Sequence, residues 1–192
     1  MTHTETYLAE TVQIARELDY SAIEVLADQL VRLRDRGGRL FIVGLGGSAA
    51  NASHAANDFK KLCSIEAYCL SDNVAELTAW ANDEGWPYIF ERALDAAKAS
   101  TKDALLVLSV GGGTDTVSAP IQFCVSWVKR KSIPVMGIVG RDGGYTKKHA
   151  TACVVVPTVE PSRVTPHTEA FQGVVLHCLV SHPKLQSNPT KW

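Results

Sequence analysis

Residues 41–62 read FIVGLGGSAANASHAANDFKKL, an apolar run that gives way to glycines and then to an alanine-rich stretch carrying a histidine and an aspartate. Leu40-Phe41-Ile42-Val43 is short, continuous and β-branched enough to be a strand buried on both faces, as parallel strands are. Gly44, Gly46 and Gly47 permit a sharp turn and a close approach of backbone to ligand. The alanines from Ser48 onward predict a helix beginning there. Strand, glycine turn and helix N-terminus together make an anion site, because the free N–H groups of the first helical turn point outward. The same glycines also suit a tight strand-to-helix turn that binds nothing.

Upstream, Tyr7, Leu8, Val12 and Leu18 recur at helical spacing, as do Ile23, Leu26, Leu30 and Leu33. The second helix should start after Asp19 or Ser21 and stop at Gly37-Gly38. Residues 1–36 are therefore a helical pair that packs on the sheet or on another subunit. Downstream, IEAYCL (65–70) is a candidate strand, and residues 73–97 form a helix broken at Gly85-Trp86-Pro87. A third strand, Ala104–Leu108, runs straight into SVGGGTDTVSAP, a second glycine turn. IQFCVSWVKRK then reads as helix, IPVMGIVG and ACVVVPT as strands, and a final helix spans about Thr168 to Val180. This alternation predicts an α/β fold with a parallel sheet covered on both faces, in a core of residues 37–182 with an irregular tail at 183–192.

Composition narrows the class. The 192 residues suit one domain, with 46% apolar and 20% charged residues, ordinary values for a globular protein. A net charge of −1 argues against a general nucleic-acid binder or a basic membrane anchor. No apolar run approaches the roughly 18 residues a membrane span needs, and MTHTETYLAE is too polar for a signal peptide. Cys63, Cys69, Cys124, Cys153 and Cys178 lack metal-type spacing and read as reduced thiols, so the expected location is cytoplasmic.

Ligands in open parallel sheets bind outside the carboxyl ends of the strands, where both glycine turns fall. Ser109 and Thr114 add hydroxyls to the second. His54 and Asp58 are four residues apart on the helix after the first turn, so they share a face. Glu169 and His177 are eight apart on the last helix, again roughly on one side. Two histidines and two carboxylates are a donor set for a divalent metal, with zinc the first candidate. Taken singly, each pair also fits a surface hydrogen bond or a core histidine.

The segments GLGGSAANASHAANDF, LTAWANDEGW, SVGGGTDTVS, GRDGG and TEAFQGVVLH, in this order and over nearly the whole chain, resemble a sugar isomerase (SIS) domain, in particular the bacterial phosphoheptose isomerases. The resemblance implies a three-layer α/β/α sandwich around a five-stranded parallel sheet, assembled as a homotetramer with active sites at subunit contacts. It also implies an aldose–ketose isomerase that turns sedoheptulose 7-phosphate into glycero-manno-heptose 7-phosphate, the first step of nucleotide-activated heptose synthesis. The metal positions of the family fall on His54, Asp58, Glu169 and His177, with aspartate and glutamate here where the family has glutamate and glutamine. Asp58 takes the catalytic base position, Glu169 stands in reserve, and His177 is the acid–base partner. Substrate contacts fall on Gly46, Gly47, Ser48, Asn82, Asp83, Ser109, Val110, Gly111, Thr114 and Glu169. The phosphate loop departs from the family pattern, with two hydroxyl positions replaced by Val110 or glycine, so phosphate binding must lean on backbone N–H groups. Arg163 and His167 are further candidates for substrate contact. A non-catalytic sugar-phosphate sensor or adaptor, and an isomerase of another sugar phosphate, are the competing readings.

Overall fold

A computed structural model of the chain describes residues 1–190. Five parallel strands, β1 (Leu40–Val43), β2 (Ala67–Cys69), β3 (Ala104–Ser109), β4 (Val135–Val139) and β5 (Ala152–Val155), lie in the order β2-β1-β3-β4-β5. Leu40 pairs with both Ala67 and Ala104, and Met136 with both Leu106 and Ala152, so the register runs unbroken across the sheet. Every residue of β1, β3 and β4 is buried, which is why these segments read as continuous apolar runs.

Side chains alternate between faces along a strand, and the two cores divide accordingly. Leu40, Ile42, Leu106, Leu108 and Ile138 face one core, closed by α2 (Tyr20–Asp35), α3 (Gly47–Cys63) and α8 (Val164–Val180). Phe41, Val43, Leu105, Val107 and Val135 face the other, closed by α5 (Ile89–Ala96), α6 (Ala119–Arg130) and α7 (Gly144–His149), with α4 (Val74–Asp83) packed against α5. The result is the expected three-layer sandwich.

α1 (His3–Glu17) begins in a capping box, the Thr2 hydroxyl accepting from the Glu5 N–H while Glu5 reaches back to the Thr2 N–H at 2.7 Å. Only Ile14 of this helix is buried, and Leu8 and Val12 are 58% and 50% exposed.

Three local features differ from the sequence reading. α8 starts at Val164, a turn before Thr168, with Pro166 in the first turn, where its missing N–H costs nothing. α7 is a short helix in a segment with no apolar periodicity. The tail is irregular as expected but anchored in a way the sequence did not show: the N–H groups of Ser187 and Asn188 both donate to the Leu62 carbonyl, at 2.8 and 3.0 Å, and Leu185 is fully buried. The last two residues of the expected tail lie outside the described residues.

Candidate active site

Helices α3 and α8 pack side by side on one face of the sheet. His54 and Asp58, one turn apart on α3, face His177 of α8. His54 Nε2 stands 2.9 Å from Asp58 Oδ2, His177 Nε2 3.9 Å from the same oxygen, and the two imidazole Nε2 atoms are 3.2 Å apart. Bonds of about 2.0–2.1 Å to a tetrahedral zinc separate the donor atoms by roughly 3.3 Å. The three separations bracket that value, so their spacing fits three ligands of such a site. They line a cavity of about 500 Å³ with Leu62, Val180 and Thr190. Asp58 has no idle oxygen: Asn57 Nδ2 donates to its Oδ1 at 3.1 Å while Oδ2 faces the histidines.

Glu169, the fourth residue of the expected set, stands apart from this cluster. Eight helical residues separate it from His177, about 12 Å along the axis. Its side chain leans toward the helix N-terminus, as helical side chains do, and its carboxylate lies where a Cβ of Gly47 would be. That carboxylate makes no hydrogen bond or ion pair with any described residue. Asn51, absent from the sequence reading, joins the two helices here by donating to the Glu169 carbonyl at 2.9 Å and to Gln172 Oε1 at 3.0 Å. The amide nitrogen of Gln172 and the hydroxyl of Ser48 are both buried without a partner among the described residues. Gly46, with φ +62, turns the chain into α3.

The second glycine turn uses its hydroxyls internally. Ser109 Oγ is buried and accepts from the Gly112 N–H at 3.1 Å. Thr114 Oγ1 donates to the Val117 carbonyl and accepts from its N–H at 2.9 Å. Val110, Gly111 and Thr114 line a separate cavity of about 320 Å³, together with Ser118, Arg141 and Thr165. Asn82 and Asp83 end α4 outside the other face of the sheet, exposed and hydrogen-bonded to each other at 2.7 Å. Neither lines the cavity that holds His54 and His177.

Arg163 and His167 are tied to the protein itself. Arg163 donates to both oxygens of Glu10, at 2.9 and 2.5 Å, and His167 Nε2 lies 2.8 Å from Glu10 Oε2. Tyr7 stacks on the His167 ring with centroids 4.3 Å apart. The hydrogen bonds from Arg163 and His167 lower the Glu10 pKa to about 2. This cluster fastens α1 to the start of α8. The five cysteines are free, and burial pushes Cys63 and Cys153 up to about 11, as suits inert core thiols.

Residues 6–140 match the SIS domain. The chain belongs to the SIS domain family. A phosphoheptose isomerase of Trichlorobacter lovleyi is 31% identical over 91% of this chain and 87% of its own. The lincomycin biosynthesis protein LmbN of Streptomyces lincolnensis is 30% identical over 95% of this chain and 72% of its own. Among solved structures, a phosphoheptose isomerase from Neisseria gonorrhoeae superposes with a TM-score of 0.80 at 23% identity, covering 92% of this chain and 95% of its own. That likeness establishes the fold.

Proposed function

We propose that the protein is a phosphoheptose isomerase, interconverting sedoheptulose 7-phosphate and glycero-manno-heptose 7-phosphate through an enediolate. The observation that carries the reading is the convergence of His54, Asp58 and His177 on one point, with an unpaired Glu169 carboxylate against the first glycine turn. Relatives named phosphoheptose isomerase at about the same level of identity point to the same substrate.

Aldose–ketose isomerisation removes a proton from C1 and returns one to C2. A carboxylate held between two histidines and an amide is a poor base, whereas Glu169 is unspent. Glu169 is therefore assigned as the base, reversing the order that sequence position suggests, and Asp58 as a metal ligand. His54, Asp58 and His177 would hold a divalent ion, zinc by donor type, whose charge would draw sugar oxygens toward the site. Ser48, with its buried and unpartnered hydroxyl, offers a hydrogen bond to a sugar oxygen. The same reading includes a homotetramer in the cytoplasm, supported by the apolar Leu8 and Val12 left exposed on α1 and by the lack of a helix able to cross a membrane among the described residues.

Two substitutions separate the roles. Asp58→Asn should lower both bound metal and turnover, while Glu169→Gln should keep full metal content and lose kcat by about 100-fold or more. Full turnover in Glu169→Gln removes it as base, and full metal content in Asp58→Asn removes the ligand set. A second reading, an isomerase of a different sugar phosphate, is favoured by the relative from lincomycin biosynthesis. Turnover of another ketose phosphate in preference to the heptose would select it.

A further inference from the structure

Two turns meet at the carboxyl edge of the central strands: 110–114 after β3, and 140–143 after β4. They are locked together. The Gly140 N–H donates to the Val110 carbonyl at 3.1 Å, and the Tyr145 N–H to the Gly113 carbonyl at 3.2 Å. Thr146 donates twice to the Gly112 carbonyl, through its N–H at 2.9 Å and its buried hydroxyl at 2.8 Å. Gly112, at φ +68, sits so close to the Gly143 carbonyl that no Cβ fits between them. This frame carries Arg141 across the second glycine turn, its Cδ 4.0 Å from the place a Gly111 Cβ would take.

The backbone at Arg141 is itself informative. Among the described residues, five that are not glycine have positive φ: Ser64, Lys98, Ser118, Ser132 and Arg141. Ser64, Lys98 and Ser132 lie at or just beyond helix C-termini, where the left-handed conformation is a common way to stop. Ser118, at φ +57, and Arg141, at φ +51, end no helix, and both line the cavity of about 320 Å³ beside Gly111. Strained backbone of this kind gathers where a ligand is held.

The cavity holds one cation, Arg141, and one carboxylate, Asp142. Ser109 and Thr114 have their hydroxyls engaged within the turn. Asp142 directs Oδ1 to the Gly144 N–H at 3.1 Å. The Arg141 guanidinium makes no ion pair or hydrogen bond with any described residue. A planar guanidinium takes two oxygens of a phosphate at once, which neither a lysine nor a backbone N–H does.

We propose that Arg141 anchors the phosphate of the substrate in the cavity between the two turns. This deepens the reading above and rests on it only for the nature of the sugar. Dissociation constants for inorganic phosphate are measured by calorimetry on the wild type, Arg141→Gln, Arg141→Lys and Lys98→Gln, each checked for its native circular dichroism. In parallel, KM and kcat are measured with sedoheptulose 7-phosphate. Arg141→Gln should weaken phosphate binding by about 10- to 100-fold, Arg141→Lys by less, and the distant charge control Lys98→Gln not at all. KM for the sugar phosphate should rise in parallel, with kcat changing less. Phosphate binding unchanged in Arg141→Gln, equally weakened in Lys98→Gln, or undetectable in the wild type overturns the proposal. Phosphate binding that depends on Arg141 in a protein inactive on the heptose leaves the anchor standing and refutes the heptose reading.

Discussion

Gly47 has room for no side chain because the Glu169 carboxylate fills the space its Cβ would occupy. The colliding atoms are the tip of a flexible side chain, so Gly47→Ala should cost little stability, under about 1 kcal/mol. It should instead displace the carboxylate and lower kcat/KM on the order of 100-fold. Unchanged kinetics in a normally folded Gly47→Ala protein would separate Glu169 from the chemistry. The pairing of His54 with Asp58 was legible because a four-residue spacing fixes a shared helix face. The convergence of His177 on them was not, since His177 follows His54 by 123 positions. Glu169 shows the limit of spacing. Eight residues place it on the same side as His177, but the lean of helical side chains turns it toward the glycine turn.

At the scale of the element, α1 is fastened less by buried area than by Glu10, which holds Arg163 and His167 at the entrance of α8. Hydrogen bonds from both partners depress the Glu10 pKa from 4.5 to about 2. A depressed carboxylate pKa stabilises the fold fully above the unfolded value and loses that contribution as pH falls through the folded one. Wild type should therefore have a higher Tm than Glu10→Gln above pH 4.5, with the gap closing toward pH of about 2. Parallel Tm curves across that range would show that the ion pair contributes nothing. Sequence reading offered Arg163 and His167 to the substrate because their partner lies 153 and 157 residues away. α7 escaped notice because GYTKKH has no apolar face for periodicity to reveal.

For the whole molecule, the fold was the most legible part. Fully buried strands alternating with amphipathic helices leave little choice but a parallel sheet between two helical layers, and Leu106 lies in its middle strand with no exposure. Leu106→Ala should cost about 2–5 kcal/mol in chemical denaturation, with an unchanged denaturant slope. Assembly was legible only through the family resemblance, since exposed Leu8 and Val12 identify a sticky face without stating what covers it. Light scattering should give four times the 20.8 kDa of one chain. Leu8→Lys with Val12→Lys should reduce that mass if α1 is in the contact.

Nuclear magnetic resonance of sedoheptulose 7-phosphate incubated with the protein in D₂O follows the proton transfer within the sugar phosphate itself. A new aldose phosphate carrying deuterium at C2 should appear, and Glu169→Gln should abolish it. A substrate recovered unchanged, with no deuterium at C1 and no aldose, from protein holding its full complement of metal would contradict the isomerase reading.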